Sequence, residues 1–163
     1  DTPFYITFDE VKTAKTFYPA NVVFVGYQHR GDDFSVYEVT TLETWTTVPL
    51  GDEKIEKDGA VIVNVASPGG LGKQVFHGSI SSLYLDRPVV EGDINWKGSM
   101  LLQITSGPGS SGSAIVSEGQ GAIVGFLVGK VKDNVVAIPV SRFKAACASV
   151  KAGTYKWYVK DSR

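Results

Sequence analysis

The stretch TSGPGSSGSAI, residues 105–115, sets Ser110, Ser111 and Ser113 among glycines, between the apolar runs SMLLQI and SAIV. A serine hydroxyl acts as a nucleophile when its loop holds the oxygen out, converges the flanking backbone N–H groups on one point, and leaves room for a substrate. Gly109 and Gly112 give the backbone that freedom on both sides of Ser111, and Pro108 stiffens the approach. A serine so held could attack a carbonyl carbon, the opening step of acyl transfer. On its own the loop reads equally well as a polar turn. Two other motifs fail here. The elbow G-x-S-x-G wants glycine where Ser113 stands and a helix after it, and a phosphate-binding loop wants lysine after its last glycine.

Acyl transfer by serine also needs an imidazole to take the hydroxyl proton and a carboxylate to orient that imidazole. The chain has two histidines: His29, four residues ahead of Asp33, and His77, inside QVFHGSIS. The acidic pair Asp32-Asp33 sits in RGDDFSV, which taken locally is a turn with solvated acids.

These groups must be positioned by a domain of modest size. At 163 residues, 43% hydrophobic and 20% charged, the chain fits one globular domain with a sizeable core, or two small packed lobes. A net charge of -1 argues against nucleic acid or an anionic membrane surface as the main partner. No apolar run approaches the roughly 20 residues that span a bilayer. The chain opens on Asp1 with no basic-then-apolar leader, so any targeting segment is expected to have been removed or never to have existed. A single cysteine offers neither an internal disulfide nor a thiolate metal cluster. That suits a reducing compartment, and equally an exported bacterial protein built without disulfides.

Short β-branched and aromatic runs predict strands at 4–8, 21–27, 34–39, 60–65, 74–85, 99–104, 113–116, 122–131 and 135–140. Gly, Pro and Asp punctuate them, as in RGDD, SPGGLG and SEGQG. One helix is predicted in SRFKAACASVKAG, capped by Ser141 and stopped by Gly153. Residues 40–52 have few strand signals and suit a connection between two lobes, and the tail TYKWYVKDSR is either an edge strand or the start of a linker. The pattern is all-β, barrel or sandwich, with a C-terminal helix.

The run GPGSSGSAIVSEGQGAIVGF, followed by VVAIPVSRFK, resembles the second barrel of the trypsin-like serine peptidases, in particular the HtrA-like branch. There the nucleophile loop reads roughly N-P-G-N-S-G-G-P, before an x-V-I-G strand, F-A-I-P and a helix. Residues 48–83 look like the inter-barrel connection and the first strands of the second barrel, and residues 18–39 like the segment carrying the acid, D-L-A-V-L-K-V. The match is gapped but runs in order from about residue 4 to 150. Ser113 and Ala114 depart from the usual Gly-Pro; neither is the nucleophile.

The resemblance implies a trypsin-like double β-barrel, all-β, with the first barrel N-terminally truncated and a C-terminal helix. Residues 1–45 would be the remainder of the first barrel with the acid loop, and 46–163 the second barrel with the nucleophile loop, helix and tail. It implies a serine endopeptidase acting on a protein or peptide, with no cofactor and no metal. Ser111 is carried over as nucleophile, the N–H groups of Gly109 and Ser111 as the oxyanion hole, and Asp33 as the carboxylate that orients the base. The phase of D-F-S-V favours Asp33 over Asp32. The family's histidine would fall just ahead of Asp1, together with the first three strands, supplied by an N-terminal segment or chain. His29 would be a surface residue and His77 a plain strand position. The substrate pocket would draw on Thr105, Ser106, Phe126, Leu127, Val128 and Val136, without an acid, so small or medium apolar side chains are expected at the cleaved position. The resemblance favours a periplasmic or extracellular setting. A viral polyprotein protease of the same fold, or a non-catalytic trypsin-like binding module, shares the same motifs.

Overall fold

The computed structural model describes residues 4–8, 15–27, 31–86, 90–91 and 94–154. His29 and the tail 155–163 lie outside the described residues. Alternation of β-branched and aromatic residues with polar ones builds a three-stranded meander from β1 (Phe4–Ile6), β2 (Tyr18–Val25) and β3 (Ser35–Val39), in the order β1-β2-β3. β2 starts earlier than its apolar run because Tyr18 and Pro19 pair with Ile6 and Tyr5 of β1; pairing to β3 begins only at Ala20, past Pro19, which has no N–H to donate.

A closed six-stranded barrel follows, in the order β10-β11-β8-β5-β4-β9. Its strands are β4 (Val61–Ala66), β5 (Gln74–Ser82), β8 (Met100–Gln103), β9 (Ala114–Ser117), β10 (Ala122–Val131) and β11 (Asn134–Pro139). Between β5 and β8 a two-residue ladder joins β6 (Val90–Glu91) to β7 (Ile94–Asn95); segments so short carry no readable alternation. All barrel pairs are antiparallel, and closure leaves the barrel no free edge. Inward side chains fill it: Ile62, Ile80, Met100, Leu102, Ile115, Val124, Leu127, Val135 and Ala137 form one buried cluster. Each large member contributes about 1.5–3 kcal/mol by leaving water. The segment 40–52 carries no strand; Leu50 bridges to Ile123 at its end.

The chain ends its described part in α1 (Val140–Lys151), and Gly153 takes a positive φ of 66° just past its C-terminus. The start corrects the sequence expectation. Pro139, not Ser141, is the N-cap, and no local side chain caps the helix. The cap comes instead from Glu53, whose fully buried carboxylate accepts from the Ser141 N–H at 3.2 Å. A carboxylate at the positive end of the helix dipole satisfies an orphan donor from far away in sequence. Tyr84 Oη donates to the other Glu53 oxygen at 3.3 Å. Burial, then the adjacent Glu53 charge, push the Tyr84 phenol above its usual range.

Candidate active site

The serine loop joins β8 to β9. Pro108 and Gly109 make its tight turn: the Ser110 N–H donates to Gly107 O at 3.0 Å, with Gly109 at φ 94°. Pro at the second and a positive-φ glycine at the third turn position suit a type II turn. A Cβ on Gly109 would lie 2.8 Å from Ser67 O, so close approach as well as φ demands glycine there. Beyond the turn, the Gly112 N–H donates to Leu127 O at 2.7 Å, the Ser113 N–H to Ser110 O at 3.1 Å, and the Leu127 N–H to Ser113 O at 2.9 Å. These bonds clip the loop onto β10.

Three serines in this loop have three environments. Ser110 is fully buried, its Oγ facing the Gly107 N–H at 3.5 Å. Ser113 Oγ donates to Ser110 O at 2.6 Å and accepts from Asn64 Nδ2 at 2.8 Å. Ser111 is exposed, and its hydroxyl has no hydrogen-bond partner among the described residues.

Beside Ser111, the backbone N–H groups of Gly109 and Ser111 have no backbone acceptor among the described residues, as is true of Thr105, Ser106 and Gly107 earlier in the loop, whereas those of Ser110, Gly112 and Ser113 are used. The Pro108 carbonyl accepts from the Gly69 N–H at 2.7 Å. In a trans peptide the C=O and N–H point opposite ways, so this bond turns the Gly109 N–H away from the 67–70 loop.

Asp33 and Ser111 line one cleft of about 510 Å³, together with Ser35, Tyr37, Phe126 and Phe143 among others. Asp32 instead lines a separate cavity of about 410 Å³ with Arg142, Ala145 and Ser149. Of the residues expected to form the substrate pocket, Phe126 and Val128 line the Ser111 cleft. Leu127 does not; it points into the barrel core, as alternation along β10 requires. Val136 is likewise fully buried, on the opposite face of β11 from Val135 and Ala137. Thr105, exposed, and Ser106, half-buried, lie in the loop ahead of the tight turn and outside the cleft lining. No described histidine lines the cleft. His77 stands on the solvent face of β5, its side chain 68% exposed, with Nδ1 3.3 Å from Glu118 Oε1.

Several residues that shape the site carried little local signal. Asn64 is fully buried in β4, and its Nδ2 also donates to Ala114 O at 2.9 Å. An asparagine inside AVIVNV is itself the sign that could have drawn attention, since a buried amide needs partners. Phe34 and Phe143 meet at 6.1 Å between ring centroids, and Phe126 and Phe143 at 5.1 Å. This aromatic stack joins the acid loop, α1 and β10.

A six-stranded barrel, a serine loop with unspent N–H groups and an acid facing the same cleft define a class. The family model described as trypsin-like peptidase domain matches residues 4–126, and the chain belongs to that family. Among solved structures, an HtrA-type protease AlgW with decapeptide superposes with a TM-score of 0.72 at 20% identity, covering 85% of this chain and 42% of that one. A point variant of the same protease, also with decapeptide, gives a TM-score of 0.70 at 20% identity, covering 86% of this chain and 42% of that one. The chain thus spans about two fifths of the length of these structures, 42% in each, and their likeness is one of fold. No curated protein matches the chain.

Proposed function

We propose that the chain is the catalytic part of a serine endopeptidase in which Ser111 forms an acyl-enzyme. The observation that carries this is the shared cleft of Asp33 and Ser111, entered by an exposed hydroxyl beside two unspent backbone donors. Ser111 Oγ attacks the scissile carbonyl carbon as a general base takes its proton. The N–H groups of Gly109 and Ser111 stabilise the developing oxyanion. The C–N bond breaks as the base returns its proton to the leaving amine, and water then hydrolyses the ester by the same route reversed. Asp33 orients the base and stabilises the imidazolium. The base is a histidine supplied from upstream of residue 1, on strands that complete the first barrel. The division at about residue 45, between the first-barrel remainder and the second barrel, belongs to the same proposal.

The substrate is a peptide or unfolded protein segment. Phe126, Val128 and Phe143 give the cleft an apolar wall, and its one carboxylate, Asp33, is assigned to the base, which supports cleavage after small or medium apolar residues. The test is hydrolysis of an unstructured polypeptide by the chain extended at its N-terminus to include the upstream strands. Turnover that disappears in Ser111→Ala supports the reading; turnover that survives the substitution refutes it.

A further inference from the structure

The loop that carries Asp33 is tied to the first turn of α1. Arg142 Nη1 donates to Gly31 O at 2.6 Å, and Nη2 donates to Lys97 O at 2.8 Å. Nη1 also stands 3.7 Å from Asp32 Oδ1, with the arginine side chain only 27% exposed. The guanidinium therefore joins three pieces of chain: the acid loop, the turn after β7, and the helix that carries it. The packing beneath it is tight. A Cβ on Gly31, whose φ is 79°, would lie 2.6 Å from Nη1 and 2.9 Å from Asn95 O, and one on Gly98 would lie 2.8 Å from Nη2.

The next helical residue, Phe143, holds the other flank of the same loop through its ring contact with Phe34, itself stacked on Phe24 at 5.1 Å. Positions 31, 32 and 34 are thus gripped by 142 and 143, and Asp33 lies between them. A planar fork with two fixed donors can bridge two carbonyls in a set geometry; a lysine ammonium cannot.

We propose that Arg142 is a positioning residue, one that sets the reach of Asp33 toward the Ser111 cleft without touching substrate itself. The proposal rests on the assignment of Ser111 and Asp33 above. Loss of the clamp lets the acid loop shift relative to the barrel, and a misplacement of about 1 Å costs on the order of 10²-fold in turnover.

A double-mutant cycle on the N-terminally extended chain tests it. Arg142→Ala is expected to lower kcat about 10²-fold with KM changed only a few-fold. In an Asp33→Asn background the same substitution is expected to cost less than about 2-fold, because its effect runs through Asp33. Guanidinium ion added to Arg142→Ala should restore part of the turnover, and should do nothing for Asp33→Asn. Arg142→Lys keeps the charge but loses the fork; it should melt near the parent and still lose most of the same turnover. Losses that multiply across the cycle, or full turnover in Arg142→Lys, overturn the proposal. An Asp33→Asn chain with undiminished turnover overturns the assignment beneath it, and is distinguishable because it fails in the single variant.

Discussion

Asp32 and Asp33 are neighbours in sequence and face different spaces. Asp33 lines the cleft that holds Ser111, whereas Asp32 lines a separate cavity beside Arg142, 3.7 Å from its guanidinium. Adjacent residues in extended backbone point to opposite sides, so a shift of one residue would exchange the two roles. In the N-terminally extended chain, Asp33→Asn is expected to lower turnover about 10⁴-fold by favouring the wrong imidazole tautomer. Asp32→Asn loses a partly exposed ion pair, worth less than about 1 kcal/mol, and should change turnover only a few-fold. Steady-state rates of the two variants decide; equal losses would mean that the acid has been assigned to the wrong residue.

Gly109→Ala attacks the proposed oxyanion site without touching the hydroxyl. Its φ of 94° and the 2.8 Å approach of a Cβ to Ser67 O force the turn to move, and with it the peptide whose N–H should face the substrate oxyanion. Losing one such donor costs about 10²–10³-fold in turnover. The expected result is a slowed rate with substrate binding little changed. A Gly109→Ala chain that turns over at the parent rate would remove this peptide from the oxyanion site.

Asn64 and Ser113 should couple stability to the shape of the serine loop. Truncating Asn64 to alanine strips a donor from Ser113 Oγ and from Ala114 O at a fully buried position. A cost of about 1–3 kcal/mol is expected, read as a lowered denaturation midpoint with unchanged slope. A midpoint that does not move would mean that these bonds add nothing net.

The proposed specificity rests on the cleft wall. With Phe126 and Val128 beside Ser111, peptides cleaved after Ala, Val or Leu should be processed faster than those cleaved after Lys or Arg. A peptide-library profile dominated by basic residues at the cleaved position would contradict the apolar pocket.

How much of this was legible depends on the range of the interaction. The barrel strands were readable because alternation is local: the run AIVGFLVGKV is one strand from Ala122 to Val131. The same alternation separates Phe126 and Val128, which line the cleft, from Leu127, which fills the core; the expected pocket joined all three. Ser111 stood out through its flanking glycines, whereas Ser113 gave no sign of its tie to Asn64. The helix cap was misread because Ser141 satisfies a local rule, while the real acceptor is Glu53, brought in by the tertiary fold. Arg142 is the extreme case: nothing near it in sequence indicates that it grips Gly31. Local chemistry points to the serine proposed as nucleophile, and only the fold shows what holds the groups around it.

The central claim is that Ser111 is the acylated residue. The direct measurement is covalent labelling of the N-terminally extended chain with a fluorophosphonate, followed by mass-spectrometric mapping of the modified serine. A single adduct on Ser111, abolished in a folded Ser111→Ala variant, is the expected result; an adduct on Ser110 or Ser113, or no adduct on a folded chain, would contradict it.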